Sequence, residues 1–115
     1  LKGIVVSLFI DADERQVEAA KYIEADYIEM HTGSFSNAFE KACWEDELNK
    51  LKKAAIYAQN IGLKVNAGHG LNYQNVYLMK QINNLQELNI GHSIISRAIF
   101  VGLDNAIKEM LSLIK

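Results

Sequence analysis

The sequence predicts an α/β fold, a (β/α)8 TIM barrel of which this chain supplies about the C-terminal four βα units plus a short extra helix after the last strand. Three observations carry that expectation. Apolar, β-branched runs alternate with amphipathic segments along the whole chain, the signature of a parallel sheet with right-handed crossovers. The first run is apolar on both parities, as in a strand covered on both faces. A short extra amphipathic segment follows the fourth strand, where such barrels commonly complete an anion site from their last two strand loops. An open doubly wound sheet is the competing architecture. Four units cannot close a barrel, which takes about 250 residues. The chain of 115 residues also opens on Leu1 directly before a strand, so residues 1–115 are expected to be a single segment, the C-terminal half.

The elements follow in order. "GIVVSLFID" (3–11) reads as the first strand and "ADERQVEAAKYIEA" (12–25) as a helix with acids in its first turn and Val17 and Ala20 on its apolar face. "DYIEMHTG" (26–33) is a second strand ending at a glycine. "NAFEKACWEDELNKLKKAAIYAQNIG" (37–62) reads as one long amphipathic helix stopped by Gly62. "LKVNAG" (63–68) is the third strand, "NYQNVYLMKQI" (73–83) a shorter helix and "LQELNIG" (85–91) the fourth strand. "HSIISRAIFVG" (92–102) and "LDNAIKEMLSLIK" (103–115) are the closing helices. With no proline in the chain, its turns rest on Gly, Asn, Asp and Ser.

Composition removes several function classes. Net charge is −2 and the basic residues are scattered among acids, which argues against a nucleic-acid surface. No apolar run reaches the length of a membrane span, and the N-terminal stretch lacks the pattern of a signal peptide. The single cysteine, Cys43, rules out an internal disulfide and a cysteine-based metal cage; it is expected to be an ordinary helix residue. A reducing cytoplasm is the default location.

In either architecture chemistry belongs at the C-terminal ends of the strands. That edge gathers Asp11, Asp13, Glu29, His31, Thr32, Asn66, His69, Gly70, Asn89, Gly91, His92 and Ser93, including all three histidines of the chain. Strand alternation puts Ile28 and Met30 toward the helices and turns Glu29 and His31 inward, with Ser7 and Asp11 on the matching face of the first strand. A carboxylate and an imidazole there are costly unless paired or used; a network that only fills the barrel is the structural alternative.

The phrases "NAGHG" (66–70) and "NIGHS" (89–93) punctuate two successive strand ends. Glycines there let backbone N–H groups approach a ligand, and the segment from His92 would present free amides and a favourable dipole to an anion. Together the two loops describe a phosphate cradle, although His92 or Ser93 can equally cap the helix. His69, between two glycines, suits a general acid or base, or a loop hydrogen bond. Glu29, His31, His69 and His92 also form a conceivable metal set, without any tight metal motif. Arg97 can reach a phosphate or pair with a surface acid.

"VSLFIDAD", "IEMHTG", "GLKVNAGHGLNYQN", "ELNIGHSIISRA" and "GLDNAIKEM" closely resemble the second half of the pyridoxine 5′-phosphate synthase family, of the deoxyxylulose-phosphate-dependent vitamin B6 route, along essentially the whole chain. The resemblance implies a cytoplasmic homo-octamer of (β/α)8 barrels acting on small phosphorylated substrates with no metal or organic cofactor. It implies condensation of 3-amino-2-oxopropyl phosphate with 1-deoxy-D-xylulose 5-phosphate to pyridoxine 5′-phosphate, phosphate and water. His69 matches the proton donor, Glu29 the transition-state stabiliser, and Gly70, Gly91 and His92 the phosphate-binding residues. A further histidine and glutamate of the family's acid–base set lie in its N-terminal half, so the fragment alone is expected to be inactive. Other readings are a different phosphate-binding (β/α)8 enzyme, or a half-barrel that binds a phosphorylated ligand without turnover. Against the Schiff-base variety, Lys64 is the one lysine in a strand and sits at the wrong end.

Overall fold

The computed structural model describes residues 2–115; Leu1, where the expected segment starts, lies outside the described residues. Strands β1 (Ser7–Ile10), β2 (Tyr27–His31), β3 (Lys64–Gly68) and β4 (Leu85–Asn89) form one parallel sheet in the order β1-β2-β3-β4. Helices α1 (Glu14–Tyr22), α2 (Gly33–Glu40) and α3 (Glu45–Asn60) connect the first three strands, and α4 (His92–Val101) and α5 (Leu103–Ile114) follow the last. Sequential order without a reversal is the barrel's wrapping pattern, not that of a doubly wound sheet. The shortest dimension, 20 Å, fits one sheet plus one helix layer, each about 10 Å thick. The architecture is therefore that of half a (β/α)8 barrel with an added helix.

Packing follows strand parity. Ile28, Met30 and Val65 are fully buried beneath the helices, in one cluster with Val17 and Ala20 of α1 and Leu48, Leu51, Ala55 and Ala58 of α3, and Ala67 is fully buried as well. Each large apolar side chain so buried stabilises the fold by about 1.5–3 kcal/mol. Strand β4 obeys the same rule through an irregularity: Val65 pairs with Leu85 and Ala67 with Leu88, so β4 spends one more residue than β3. That bulge lets Leu85 and Leu88, three apart, both pack against the core.

Four expectations on elements are corrected. The first strand is Ser7–Ile10, not 3–11: it lies at the sheet edge with β2 as its neighbour, and Ile4, Val5 and Val6 are exposed. The expected single helix over 37–62 is two. Lys41 and Cys43 both donate their N–H groups to the Ala38 carbonyl, and Ala42 takes a left-handed φ of 54°. This turn lets Phe39 and Trp44 pack 6.4 Å apart against the core, a tertiary gain that outweighs good helix propensity. Cys43 consequently sits in the exposed break and not in a helix. The helix expected over 73–83 is a 3₁₀ segment, Val76–Gln81, entered through a turn in which the Asn72 side chain accepts from the backbone N–H groups of Gln74 and Asn75.

Among the described residues no helix is long and apolar enough to cross a membrane.

Candidate active site

The C-terminal ends of the strands open on a cleft of about 650 Å³ whose lining includes Glu29, His69, Gly70, Asn89, Gly91 and His92. The five residues to which the resemblance gives roles, Glu29, His69, Gly70, Gly91 and His92, thus border one space, whereas Asp11, His31, Thr32 and Asn66 do not line it. The strands contribute Phe9 of β1, Glu29 of β2 and Asn89 of β4 to its lining; Asn66 of β3, the register partner of Glu29, does not line it. Parity delivers Glu29 there as expected: Ile28 and Met30 are buried while Tyr27, Glu29 and His31 are half-exposed. Asn89 donates its Nδ2 to Glu29 Oε2 at 2.7 Å, fixing the carboxylate from the next strand but one. The Glu29 carboxylate lies against the Cα of Gly68, where a β-carbon would collide with it. Gly68 is therefore a seat for Glu29.

The loop after β3 is shaped by three anchors, the buried Thr32 and Asn75 and the half-buried Ser93. The Thr32 N–H donates to the Gly68 carbonyl at 2.8 Å, and its hydroxyl lies 2.7 Å from that oxygen and 2.6 Å from the His69 carbonyl. Asn75 donates its amide to the Gly70 carbonyl at 3.3 Å. Ser93 donates its hydroxyl to the Leu71 carbonyl at 2.8 Å, tying this loop to the start of α4. Held so, His69 adopts a φ of 82° and Gly70 one of 78°. The first is strained for a residue with a side chain, a state that persists where its surroundings over-determine it. At Gly70 a β-carbon would lie 2.8 Å from Ser36 Oγ, so space and backbone both require glycine.

Gly91 is the N-cap of α4, and no side chain caps this helix; Ser93 spends its hydroxyl on Leu71 instead. The capping alternative for His92 and Ser93 is thereby set aside. The ten-residue helix starts at the cleft end bordered by Gly70, Gly91 and His92, and a β-carbon at Gly91 would meet nothing within 4 Å. Bare backbone, helix dipole and open space together suit an anion.

Other candidates are placed elsewhere. Arg97 is committed to Glu109 of α5 through two hydrogen bonds, of 2.7 and 3.1 Å. That contact pushes the guanidinium pKa up and the carboxylate pKa down. Asp13 caps α1, accepting from the Arg15 N–H at 2.9 Å, and the Arg15 side chain lowers its pKa. Among the described residues no three His, Cys, Asp or Glu side chains are grouped to hold a metal ion, so Glu29, His31, His69 and His92 do not form the conceivable set. Lys64 begins β3, over the ring of Tyr27 at 5.1 Å and far from the cleft.

Two participants escaped the sequence reading. Phe9, which pairs in register with Glu29, lines the cleft. Alternation along the first strand placed it between Ser7 and Asp11 on the inward face, and that was the available signal. The bond from Asn89 to Glu29 had no sequence signal, because it depends on how far the sheet curls.

All 115 residues match the family model described as "Pyridoxal phosphate biosynthesis protein PdxJ". The chain belongs to this family. It is 51% identical over 113 residues to the pyridoxine 5′-phosphate synthase of Geobacter sulfurreducens, covering 98% of this chain and 47% of that protein. It is 54% identical over 113 residues to each of the enzymes of that name from Sulfurihydrogenibium sp. and Blochmanniella pennsylvanica, covering 98% of this chain and 46% of each relative. The chain thus spans about half the length of the curated relatives it matches. Within the family frame, the glycine-flanked loops after β3 and β4 are the shared lips of one cleft.

Proposed function

We propose that this chain is the C-terminal half of a pyridoxine 5′-phosphate synthase barrel, carrying the phosphate cradle and one proton donor of the ring-closing reaction. The carrying observation is the convergence of two loops on one cleft: a strained His69 between Gly68 and Gly70, and the uncapped start of α4 at Gly91 and His92. The reaction condenses 3-amino-2-oxopropyl phosphate with 1-deoxy-D-xylulose 5-phosphate, giving pyridoxine 5′-phosphate, phosphate and water. An imine forms between amine and ketone, phosphate and water depart, and the ring closes. Each step moves protons, which calls for positioned acids and bases.

In this reading the amides of α4, with Gly70, Gly91 and His92, bind the substrate phosphate. His69 donates a proton to a departing oxygen. Glu29, oriented by Asn89, stabilises positive charge as it develops on the substrate. The remaining acid–base groups come from an N-terminal half, and the complete enzyme is a cytoplasmic homo-octamer, as the resemblance implies. The segment alone has no turnover.

The test is synthesis from the two named substrates by the polypeptide as the cell makes it, compared with residues 1–115 alone. The reading expects product from the first and none from the second. Absence of product from the natural polypeptide, with phosphate still bound at Gly70 and Gly91, would point to a phospho-ligand binder or another phosphate-binding barrel enzyme.

A further inference from the structure

The strained backbone of His69 carries a side chain that makes no hydrogen bond to any described residue, yet its ring is far from free. His31 lies against it, ring centroids 4.7 Å apart and planes 33° from parallel. Phe9 meets His31 edge-on at 5.2 Å and 82°, and stands 6.5 Å from His69. The three rings form one cluster, from three successive strand ends.

We propose that His31 is a positioning residue for His69: it fixes the plane of the His69 imidazole across the cleft, and is itself fixed by Phe9, Asp11 and Gly33. His31 does not line the cleft, whereas His69 and Phe9 do. It stands behind them, bordering a small cavity of about 160 Å³ on the helix side with Asp11 and Lys50. The Asp11 carboxylate stands 3.8 Å from His31 Nδ1. Gly33 closes the other side. A β-carbon there would come within 2.5 Å of His31 Cε1, 2.9 Å of Nε2 and 3.3 Å of His69 Cδ2. The "HTG" sequence therefore does two things in three residues. Thr32 sets the backbone of the His69 loop, and the glycine makes room for the ring that sets its side chain.

The physical consequence is orientational. An exposed imidazole on a loop tip loses rotamer freedom when it works, and a stacked aromatic neighbour removes that cost beforehand. A donor turned out of line by an ångström can lose about a hundredfold in rate. The proposal rests on the assignment of His69 as proton donor, and the experiment separates the two claims.

The natural polypeptide is prepared as wild type, His31→Ala, His31→Phe and His69→Gln, with histidine rings labelled for NMR and kcat and KM measured for each. The His69 signal is the one missing from His69→Gln. His31→Ala is expected to shift the His69 signal and to lower kcat about tenfold to a hundredfold with KM little changed. His31→Phe, which keeps a flat ring against His69, is expected to recover most of that rate. An unmoved His69 signal with unchanged kcat in His31→Ala overturns the proposal, and so does a Phe variant as slow as the Ala variant. Full turnover in His69→Gln would instead remove the proton-donor assignment, whatever His31 does.

Discussion

The two faces of the sheet are built from alternate residues of the same strands and have opposite fates. On β2, Ile28 and Met30 are fully buried beneath α1 and α3, while Glu29 stays half-exposed at the cleft and His31 half-exposed behind its lining. On β3, Val65 and Ala67 are buried apolar residues, while Asn66 faces inward with its Oδ1 buried and unpartnered among the described residues. One face is settled by packing within this segment. The other carries polar groups, Glu29 and Asn89 among them, that border the cleft. Stability and chemistry are thus separable by strand parity, one residue apart.

That separation can be broken in several ways. The largest effect is expected on the inward face: Glu29→Ala should lower turnover of the natural polypeptide about a hundredfold or more, as loss of one preorganised charge-stabilising group does, and leave the melting temperature nearly unchanged. Equal losses of stability and turnover would erase the contrast. Across the sheet, Met30→Ala should cost about 2–5 kcal/mol in denaturant unfolding with KM unaltered, because the void lies beneath the helices. Thr32 belongs to both worlds, being fully buried yet bonded to the His69 loop. Thr32→Val should cost about 1–3 kcal/mol and reduce turnover as well, since two carbonyls lose their shared hydroxyl.

The smallest effect is electrostatic and lies on neither face. Arg97 holds the Glu109 carboxyl below its ordinary value of 4.5. A lowered folded-state pKa means the contribution to stability is present above the unfolded value and is lost as pH falls through the folded one. Melting curves should therefore lose a small increment below about pH 4.5 that Glu109→Gln never had.

Much of this was legible in the sequence, for definable reasons. Period-two alternation in "YIEMH" sorted Glu29 from Met30, and the glycines at residues 70 and 91 marked two loops that border the cleft. What was hidden depends on contacts between distant segments. The break between α2 and α3 has no Gly or Pro to announce it; it exists because Phe39 and Trp44 gain more by packing than a continuous helix would. The 3₁₀ segment is entered through a turn built on Asn72, whose side chain accepts from the Gln74 and Asn75 N–H groups and whose carbonyl accepts from Val76, a local arrangement that periodicity does not reveal. The stack of His31 on His69 requires knowing that β2 and β3 are neighbours in register, with His31 opposite Gly68. Gly33 looked like a strand terminator and is in addition the space that two imidazoles occupy.

The central claim is that the two similar phrases, "NAGHG" and "NIGHS", divide the work: the first handles a proton through His69, and both hold phosphate through Gly70, Gly91 and His92. It is tested most directly by measuring synthesis and binding of inorganic phosphate side by side in His69→Ala of the natural polypeptide. The account predicts that turnover falls about a hundredfold or more while phosphate affinity stays within a few-fold of wild type. Retained turnover would contradict it.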